Sequence, residues 1–322
     1  MKIGILALGR ATFDVEFANQ KLDECINFLK RTSHLILGGE KILLETDDTQ
    51  NEVNRLKIED VDFVLIIQVT FTDALMTVHI ADELNAKLGI WAIPEPRLGR
   101  RLRLNSFCGL NLASHALSLK NISFNWIYKN PSDISEDVFN SFINERSINN
   151  KIEIRAYKET SEKAKQIIDK IRSFKIAKIG KHPDGFDTCQ YNKKTIKKLA
   201  GISVEEFTLN ELFNIAKSID KNEIEKTYKT INDQISSLDR VNQAELDLSL
   251  RLKSSLDRIR ESGQFNAFAI RCWPETFTEY GGAICAPVSM MSETKIPCAC
   301  EADVYGSLTQ IILQEVSGSH VF

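Results

Sequence analysis

The 322-residue sequence lacks the features that mark several large classes of protein. It has no uninterrupted apolar run near the roughly 20 residues that a bilayer-spanning helix needs. Its formal net charge is −3 and its pI is near 6.0, so it has no excess of positive charge for nucleic acid or for an acidic membrane surface. We therefore expect a protein that binds neither nucleic acid nor membranes.

The sequence also lacks the cysteine pattern of a disulfide framework. Its seven cysteines are odd in number and lie in apolar contexts, which favours buried, reduced thiols in a cytoplasmic protein. The opening stretch MKIGILALGRATFD is too short an apolar segment for a signal peptide and indicates a first β-strand. Cys298 and Cys300 lack the two-residue spacing of a zinc knuckle, so the favoured interpretation is a strand filled by small residues.

What the sequence does contain is an alternation of apolar runs and amphipathic segments. KIGILAL, VDFVLIIQ and GIWAIP predict buried strands, and residues 17–32 have helical spacing. The pattern restarts near residue 150 with KIEIRAY and continues through KIAKIG and FNAFAIRC, whereas the charged residues 205–262 are predicted to be helical. Uniformly apolar strands that alternate with helices predict an α/β protein with two Rossmann-like, doubly wound parallel-sheet domains.

The same pattern predicts where these domains begin and end. We place an N-terminal Rossmann-like domain at 1–170, a second one at 171–295 and the start of a C-terminal domain at 296–322. The last stretch, LTQIILQEVSGSHVF, predicts a helix, a turn and the beginning of an apolar strand. We therefore expect this third domain to be cut short.

Polar residues follow the predicted strands at their carboxyl ends, which is where ligands bind in open parallel sheets. Carboxylates that converge in a cleft need a cation or must share protons, and oxygen ligands favour Mg²⁺ or Mn²⁺. The alternative is that Glu275 and Asp303 cap the helices that follow them, and the spacing favours the two interpretations equally. The residues at strand ends are Gln68, Thr70, Glu95, Lys181, His182, Glu275, Glu301 and Asp303.

Other polar positions give weaker signals. His79 and His115 lie on apolar helical faces, where a core histidine is the favoured interpretation. The basic cluster RLGRRLRL at 97–104 could meet an anionic substrate or a subunit partner, but a surface loop with ordinary ion pairs is favoured. No complete dinucleotide-binding or P-loop fingerprint is present in the sequence.

Six blocks carry a resemblance to a known family: QVTFTDA, WAIPEP, LNSFCGLN, IGKHPDGF, AFAIRCWPE and CEADVYGSLTQIIL. In this order they resemble the L-fucose and L-arabinose isomerase superfamily, and most closely its fucose isomerase-like branch, over essentially the whole chain. The resemblance implies a Mn²⁺-dependent aldose–ketose isomerase that acts on a free sugar through an enediol. L-Fucose, L-arabinose and related or sulfonated sugars are the substrates it suggests, and a homo-oligomer, trimer or hexamer, is the assembly.

The resemblance also implies roles for individual residues. Glu275 and Asp303 would bind the metal and move the proton. Glu279 would be the alternative to Glu275, and Glu301 would lie beside the ligands without binding the metal. The substrate would contact Gln68, Lys181, His182 and Trp273.

One metal ligand of the family is not accounted for by this sequence. The family's histidine ligand belongs to the C-terminal domain, and His320 is too close to Asp303 in sequence to replace it. A non-catalytic sugar-binding or assembly subunit with the isomerase fold is therefore the alternative to an enzyme.

Overall fold

The computed structural model describes residues 1–99, 101–144, 161–233, 235 and 237–321. The chain divides into two compact units. The first unit comprises Met1–Ile154 and Asp184–Thr188, and the second comprises Arg155–Pro183 and Cys189–Phe322. Each unit contains one parallel β-sheet with helices on both faces. This arrangement confirms the predicted α/β fold with two parallel-sheet units.

The first unit has a five-stranded sheet in the order β2-β1-β3-β4-β5. Its strands are β1 (Lys2–Leu8), β2 (Leu35–Leu43), β3 (Phe63–Gln68), β4 (Lys87–Ala92) and β5 (Phe124–Tyr128). Its helices are α1 (Val15–Leu29), α2 (Thr46–Glu59), α3 (Leu75–Glu83), α4 (Ser106–Leu119) and α5 (Glu136–Asn144).

The second unit has a four-stranded sheet in the order β7-β6-β8-β9. Its strands are β6 (Lys175–Ile179), β7 (Ser203–Phe207), β8 (Ala267–Ile270) and β9 (Cys298–Ala299). Its helices are α6 (Glu162–Ile171), α7 (Lys193–Ala200), α8 (Leu209–Ser218), α9 (Lys221–Asn232), α10 (Gln243–Gly263), α11 (Cys285–Glu293) and α12 (Val304–Ser317). None of the helices in the described part of the chain is long and apolar enough to cross a bilayer.

Apolar residues on both faces of the central strands hold each unit together. In β3, Phe63 and Leu65 belong to the core under α1 and α5, whereas Val64 and Ile66 face the core under α2, α3 and α4. Successive strand residues point to opposite faces, so an uninterrupted apolar strand needs cover on both. Full burial of each such side chain contributes roughly 1.5–3 kcal/mol. The apolar runs of the sequence therefore dictate the three-layer arrangement.

The strand order reverses once in each sheet. In the first unit β1 pairs with β2 on one side and with β3 on the other, and in the second unit β6 pairs likewise with β7 and β8. Loops that leave the carboxyl ends of the two strands at such a point separate and leave a crevice. The crevices lie beside β1 and β3 in the first unit and beside β6 and β8 in the second.

Several local predictions differ from the structure. Residues 46–59, for which the sequence pattern predicts no element, form α2 because Thr49, Val53 and Leu56 share one buried side. Part of the segment predicted to be helical at 205–262 belongs to strand β7, whose polar residues suit the edge of a sheet. At the other end of the chain, Gly318 closes α12 in the left-handed conformation and no strand follows in residues 319–321. The predicted strand KIEIRAY lies outside the described residues.

The division of the chain also differs from the predicted boundaries. The units separate at Ile154, not at residue 170. Residues 296–321 join the second unit because β9 pairs with β8 and α12 packs on β8 and α6. Residues 184–188 join the first unit, where the Ala74 amide donates to the Gly185 carbonyl at 3.2 Å and the Phe186 and Phe71 rings lie 5.8 Å apart.

Candidate active site

In the first unit, the loops after β1 and β3 are tied together at the carboxyl edge of the sheet. The Arg10 backbone amide donates to Thr70 Oγ1 at 2.8 Å, and the Arg10 guanidinium forms an ion pair with Asp73. Asp73 is buried, and its Oδ1 accepts a further hydrogen bond from the Leu75 amide at 2.9 Å. This network fixes the shape of the crevice at the switch in strand order.

Gln68, predicted to contact substrate, ends β3 and is completely buried at this crevice. Its amide nitrogen donates to the Thr70 carbonyl at 2.7 Å and to Thr72 Oγ1 at 2.9 Å. Its amide oxygen has no hydrogen-bond partner among the described residues. Gly109 of α4 allows this close packing, because a Cβ there would lie 2.9 Å from Gln68 Cδ. The side chain is thus fixed in orientation and presents a buried acceptor that can receive a hydroxyl hydrogen.

Glu95, another strand-end residue, has a structural role. Its carboxylate accepts hydrogen bonds from three backbone amides: Arg103 at 2.7 Å, Leu104 at 2.9 Å and Asn105 at 2.9 Å. Charge-assisted bonds of this kind are about twice as strong as neutral ones. The carboxylate therefore closes the loop that carries the basic cluster and sets the start of α4.

Arg101 and Arg103 of the basic cluster make ordinary surface contacts, in agreement with the favoured interpretation. Arg103 Nε lies 2.8 Å from Asp14 Oδ2, and its guanidinium lies 3.7 Å from the centre of the Phe17 ring. The Phe17 amide and the Arg103 guanidinium both lower the pKa of Asp14. Arg101 donates to the Thr12 carbonyl at 3.0 Å.

In the second unit, Arg271 connects the loops after β6 and β8. Its Nε lies 2.5 Å from Glu275 Oε2, and its Nη1 donates to the carbonyls of Lys181 at 3.4 Å and His182 at 3.2 Å. The side chains of Arg271 and Glu275 are only 15% and 23% exposed. Glu275 is therefore held at the switch point by an arginine that the sequence analysis did not identify.

The other predicted substrate contacts of this unit lie on the same loops. Lys181 is exposed and His182 is half-buried, and the contacts with Arg271 use their backbone carbonyls. Trp273 is half-buried and packs against the core between β8 and α10. These side chains lie near the edge of the sheet without forming a cluster of their own.

The loop after β9 carries the remaining acidic residues. Asp303 Oδ1 accepts from the Gly306 amide at 2.8 Å and thereby caps α12. Glu301 and Ala302 both have φ of 53°, a left-handed conformation that costs energy in residues with a side chain. Burial and the nearby charge of Asp303 raise the pKa of Glu301, while the Cys272 thiol, 3.8 Å from Glu301 Oε1, opposes that shift. Glu301 therefore keeps its proton to a higher pH than an ordinary glutamate.

Glu275 and Asp303 fit a divalent cation only in part. Each has one carboxylate oxygen with no hydrogen-bond partner among the described residues, Oε1 of Glu275 and Oδ2 of Asp303. Carboxylate oxygens are suitable ligands for Mn²⁺. Across the described ranges, however, no three or more His, Cys, Asp and Glu side chains lie together so as to hold a metal ion. Glu279, the alternative ligand, is exposed on the turn Thr276–Tyr280.

The two histidines noted in the sequence lie in different environments. His79 is half-buried in α3, and its Nε2 has no partner among the described residues. His115, interpreted from its helical spacing as a core residue, is exposed on α4. The apolar spacing around His115 belongs to its neighbours Leu112, Ala113, Ala116 and Leu117, which are the residues that face the sheet.

Comparison with known proteins agrees with the motifs of the sequence. Residues 4–147 match the family model described as "Fucose/sulfoquinovose isomerase, N-terminal domain". A sulfoquinovose isomerase from Priestia aryabhattai is 26% identical over 313 residues, covering 97% of this chain and 66% of the relative. One from Clostridium sp. (strain MSTE9) is 26% identical over 324 residues, covering 100% of this chain and 68% of the relative. The chain thus spans about two thirds of the length of these relatives.

Solved structures resemble the chain only distantly. A periplasmic solute-binding protein of an ABC transporter from Actinobacillus succinogenes, with bound D-allose, matches with a TM-score of 0.28 and 10% identity. The match covers 100% of this chain and 94% of that chain. A likeness of this size carries no argument about ligand or activity, and the fold is established here by strand order and register.

Proposed function

We propose that the chain is a member of the fucose isomerase-like family and contributes the two α/β units of a sugar isomerase that interconverts an aldose and a ketose. The observation that supports this proposal is the pair of carboxylates on adjoining loops of the second unit. β8 and β9 are neighbours in the sheet, and Glu275 and Asp303 follow their carboxyl ends.

The reaction requires a proton to move between two adjacent carbons of an open-chain sugar. A carboxylate that removes the proton from one carbon and returns it to the other, by way of an enediol, meets this requirement. We assign this role to Glu275 or Asp303. Arg271 holds Glu275 in place, and the cap of α12 holds Asp303 in place.

We propose Mn²⁺ as the cofactor, with Glu275 and Asp303 as two of its ligands. Their unpartnered oxygens support this assignment. The ion would supply Lewis-acid polarisation of the sugar carbonyl and its neighbouring oxygen.

The substrate that the relatives support best is a sulfonated hexose, because the matched relatives are called sulfoquinovose isomerases. L-Fucose, L-arabinose and related sugars are the alternatives. We propose that the unpartnered oxygen of Gln68 accepts a hydrogen bond from a sugar hydroxyl, and that Lys181, His182 and Trp273 line the same substrate. We further propose a cytoplasmic homo-oligomer, a trimer or hexamer.

A second candidate is a sugar-binding or assembly subunit without turnover. The absence of a three-ligand metal cluster among the described residues favours it over a self-sufficient enzyme. The two candidates differ in metal binding and in product formation, which can be measured separately.

The proposal is tested by Mn²⁺ calorimetry on the chain and its Asp303→Asn and Glu275→Gln variants. Asparagine caps helices as well as aspartate does, so Asp303→Asn removes the charge and keeps α12 capped. We expect at least a tenfold loss of Mn²⁺ affinity in both variants and no change in Glu261→Gln, an exposed carboxylate of α10.

Two further results bear on the same proposal. A loss confined to Glu279→Gln would assign the ligand to Glu279 instead of Glu275. Conversion of sulfoquinovose, L-fucose or L-arabinose to its ketose supports the isomerase, whereas sugar binding without conversion supports the binding subunit.

A further inference from the structure

An open cavity of about 200 Å³ lies at the carboxyl edge of the first sheet. It is lined by residues of two loops, the one after β1 and the one after β4, namely Thr12, Phe13, Asp14, Arg101, Leu102 and Arg103. Both arginines belong to the basic cluster of the sequence, and the proposed proton transfer gives them no role. A cavity with two guanidinium groups in its wall is suited to a negatively charged ligand.

Hydrogen bonds hold the two loops of this cavity together. The Asp14 amide donates to the Arg103 carbonyl at 3.1 Å, and the Arg103 amide donates to the Glu95 carboxylate at 2.7 Å. The Arg101 guanidinium donates to the Thr12 carbonyl at 3.0 Å and so bridges the loops from the other side. The arginines are therefore held in position before a ligand binds, which reduces the entropy cost of binding.

The surface contacts of the two arginines leave most of their hydrogen-bond donors available. Among the described residues, Arg101 donates through Nη2 alone and the guanidinium of Arg103 donates through Nε alone. The Arg103 guanidinium also lies 3.7 Å from the centre of the Phe17 ring, which restricts its orientation. A guanidinium presents several N–H groups in a planar fork that binds the oxygens of anionic groups. Since Asp14 balances only one of the two positive charges, the cavity keeps a net positive charge.

The cavity lies at the same edge of the first sheet as Gln68, which ends β3. Phe71, in the loop that follows Gln68, contacts both loops of the cavity. Its amide donates to the Leu104 carbonyl at 2.7 Å, and its ring centre lies 5.8 Å from that of Phe13. A sugar that donates a hydroxyl hydrogen to Gln68 and carries a charged substituent could therefore be bound at one edge of one unit.

We propose that this cavity is an anion subsite in which Arg101 and Arg103 bind the sulfonate group of a sulfonated hexose. The choice of sugar rests on the proposed function, whereas binding to the arginines can be measured without turnover. Inorganic sulfate presents oxygens of the same kind, so the test compares the charged sugar with the free anion and with an uncharged sugar.

Calorimetric titration of the chain with sulfoquinovose, D-glucose and sodium sulfate tests the proposal. D-Glucose carries a hydroxyl where sulfoquinovose carries its sulfonate, so it reports on the rest of the sugar. We expect Arg101→Gln to lower the affinity for sulfoquinovose roughly tenfold, because charge-assisted hydrogen bonds are lost, and to leave the affinity for D-glucose unchanged. Arg172→Gln is the matched control, because Arg172 is an exposed arginine paired with Asp169 in the second unit, and it should change neither affinity.

Substitution of Asp14 should have the opposite effect. Asp14→Asn keeps a side-chain oxygen for the Phe17 amide at the start of α1 and removes the carboxylate that competes for Arg103. We expect the affinity for sulfoquinovose to rise several-fold, a gain that damage to the fold would not produce. Arg103→Gln should lower this affinity as Arg101→Gln does. If Arg103→Gln disturbs the loop, Arg101→Gln keeps the test valid, since Arg101 forms no ion pair among the described residues.

Three results would overturn the subsite. One is an equal affinity for sulfoquinovose in the parent chain and in Arg101→Gln, and another is no binding of sulfoquinovose by the parent chain. The third is sulfate that binds as tightly as sulfoquinovose with the same dependence on Arg101, which would indicate a site for free anions. Mn²⁺ binding and conversion of L-fucose or L-arabinose, measured on the same samples, test the isomerase proposal separately.

Discussion

Both units have an ion pair at the carboxyl edge of the sheet, which joins the loops after β1 and β3 in the first unit and lies within the loop after β8 in the second. An arginine and a carboxylate meet where the strand order reverses: Arg10 with Asp73 in the first unit and Arg271 with Glu275 in the second. In the first unit the carboxylate is buried and also accepts a hydrogen bond from a backbone amide. In the second unit carboxylate oxygens remain unpartnered among the described residues. The same kind of parallel sheet thus presents fixed hydrogen-bonding groups in one unit and carboxylate charge in the other.

The backbone shows the same difference. At the carboxyl edge of the first sheet, the Glu95 carboxylate accepts hydrogen bonds from three backbone amides, and the left-handed residue there, Asn105, is of a type that tolerates this conformation. The second edge has two consecutive left-handed residues, Glu301 and Ala302, and a glutamate with a raised pKa. Strained conformations and shifted pKa values concentrate at functional sites. The comparison therefore favours the proposal that proton chemistry belongs to the second unit and hydroxyl recognition to the first.

The largest effect on stability should come from removing the Glu95 carboxylate at the carboxyl edge of the first sheet. Glu95→Ala leaves three backbone amides without their acceptor, and bonds to charged groups contribute about 1.5–3 kcal/mol each without full additivity. We expect a loss of about 3 kcal/mol in urea unfolding. Glu83→Ala is the control, because Glu83 forms a solvent-exposed pair with Lys57 and its removal should cost much less stability. Equal losses in the two variants would contradict the role of Glu95.

The two ion pairs should respond differently to loss of the carboxylate charge. Asp73→Asn should cost about 2 kcal/mol, because Asp73 is buried and its partner Arg10 would lose its counter-charge. Glu275→Gln should cost less than about 1 kcal/mol, because its side chain is more accessible to water. Its main effect should instead be on Mn²⁺ affinity. Urea unfolding of both variants measures the two losses of stability, and calorimetry measures the Mn²⁺ affinity of Glu275→Gln. A larger loss of stability in Glu275→Gln than in Asp73→Asn would contradict the comparison.

Substitution of Gln68 should have a smaller effect on stability and tests whether this residue contacts the sugar. Gln68→Leu removes the bonds to the Thr70 carbonyl and Thr72 hydroxyl but also removes an unpartnered buried oxygen. These effects partly offset, so we expect a loss of about 1 kcal/mol. If the oxygen recognises a hydroxyl, sugar affinity should fall about tenfold. Unfolding and sugar titration of the same variant separate the two effects, and unchanged sugar affinity would remove Gln68 from the substrate site.

The smallest effect should be an increase in stability when the Glu301 carboxyl group of the second unit is neutralised. Burial raises the pKa of Glu301 above its unfolded value, so the unfolded state loses this proton first and stability falls as pH rises through the window between the two pKa values. Glu301→Gln removes that penalty and should stabilise the protein by less than about 1 kcal/mol at pH 7. The gain should vanish below the ordinary pKa of glutamate. Thermal unfolding of both proteins from pH 4 to pH 8 checks this, and a gain that persists at pH 4 would point to another cause.

The sequence predicts the scaffold because the scaffold depends on local patterns. Uniform apolar runs such as β3 identify buried parallel strands, and Glu275 and Asp303 are correctly placed after strands because strand ends are marked in the sequence. Helix α2 was missed since only a few of its residues face the core.

The contacts that define the site could not be predicted in this way. The bond between Arg271 and the carbonyls of Lys181 and His182 joins segments about 90 residues apart. The left-handed conformation of Glu301 and Ala302 depends on how the loop docks and not on residue type. The unpartnered oxygen of Gln68 follows from the approach of α4 at Gly109, which only the assembled unit reveals.

The bonding of Glu95 has a consequence for protein engineering. Its carboxylate holds the end of the 97–104 loop through backbone amides, which every residue except proline possesses. The side chains of Leu98 and Leu102 contribute little to that anchor and are 74% and 50% exposed. Libraries randomised at such positions should therefore keep the loop's path while changing its chemistry. A single half-buried carboxylate thus allows the side chains of this loop to be exchanged.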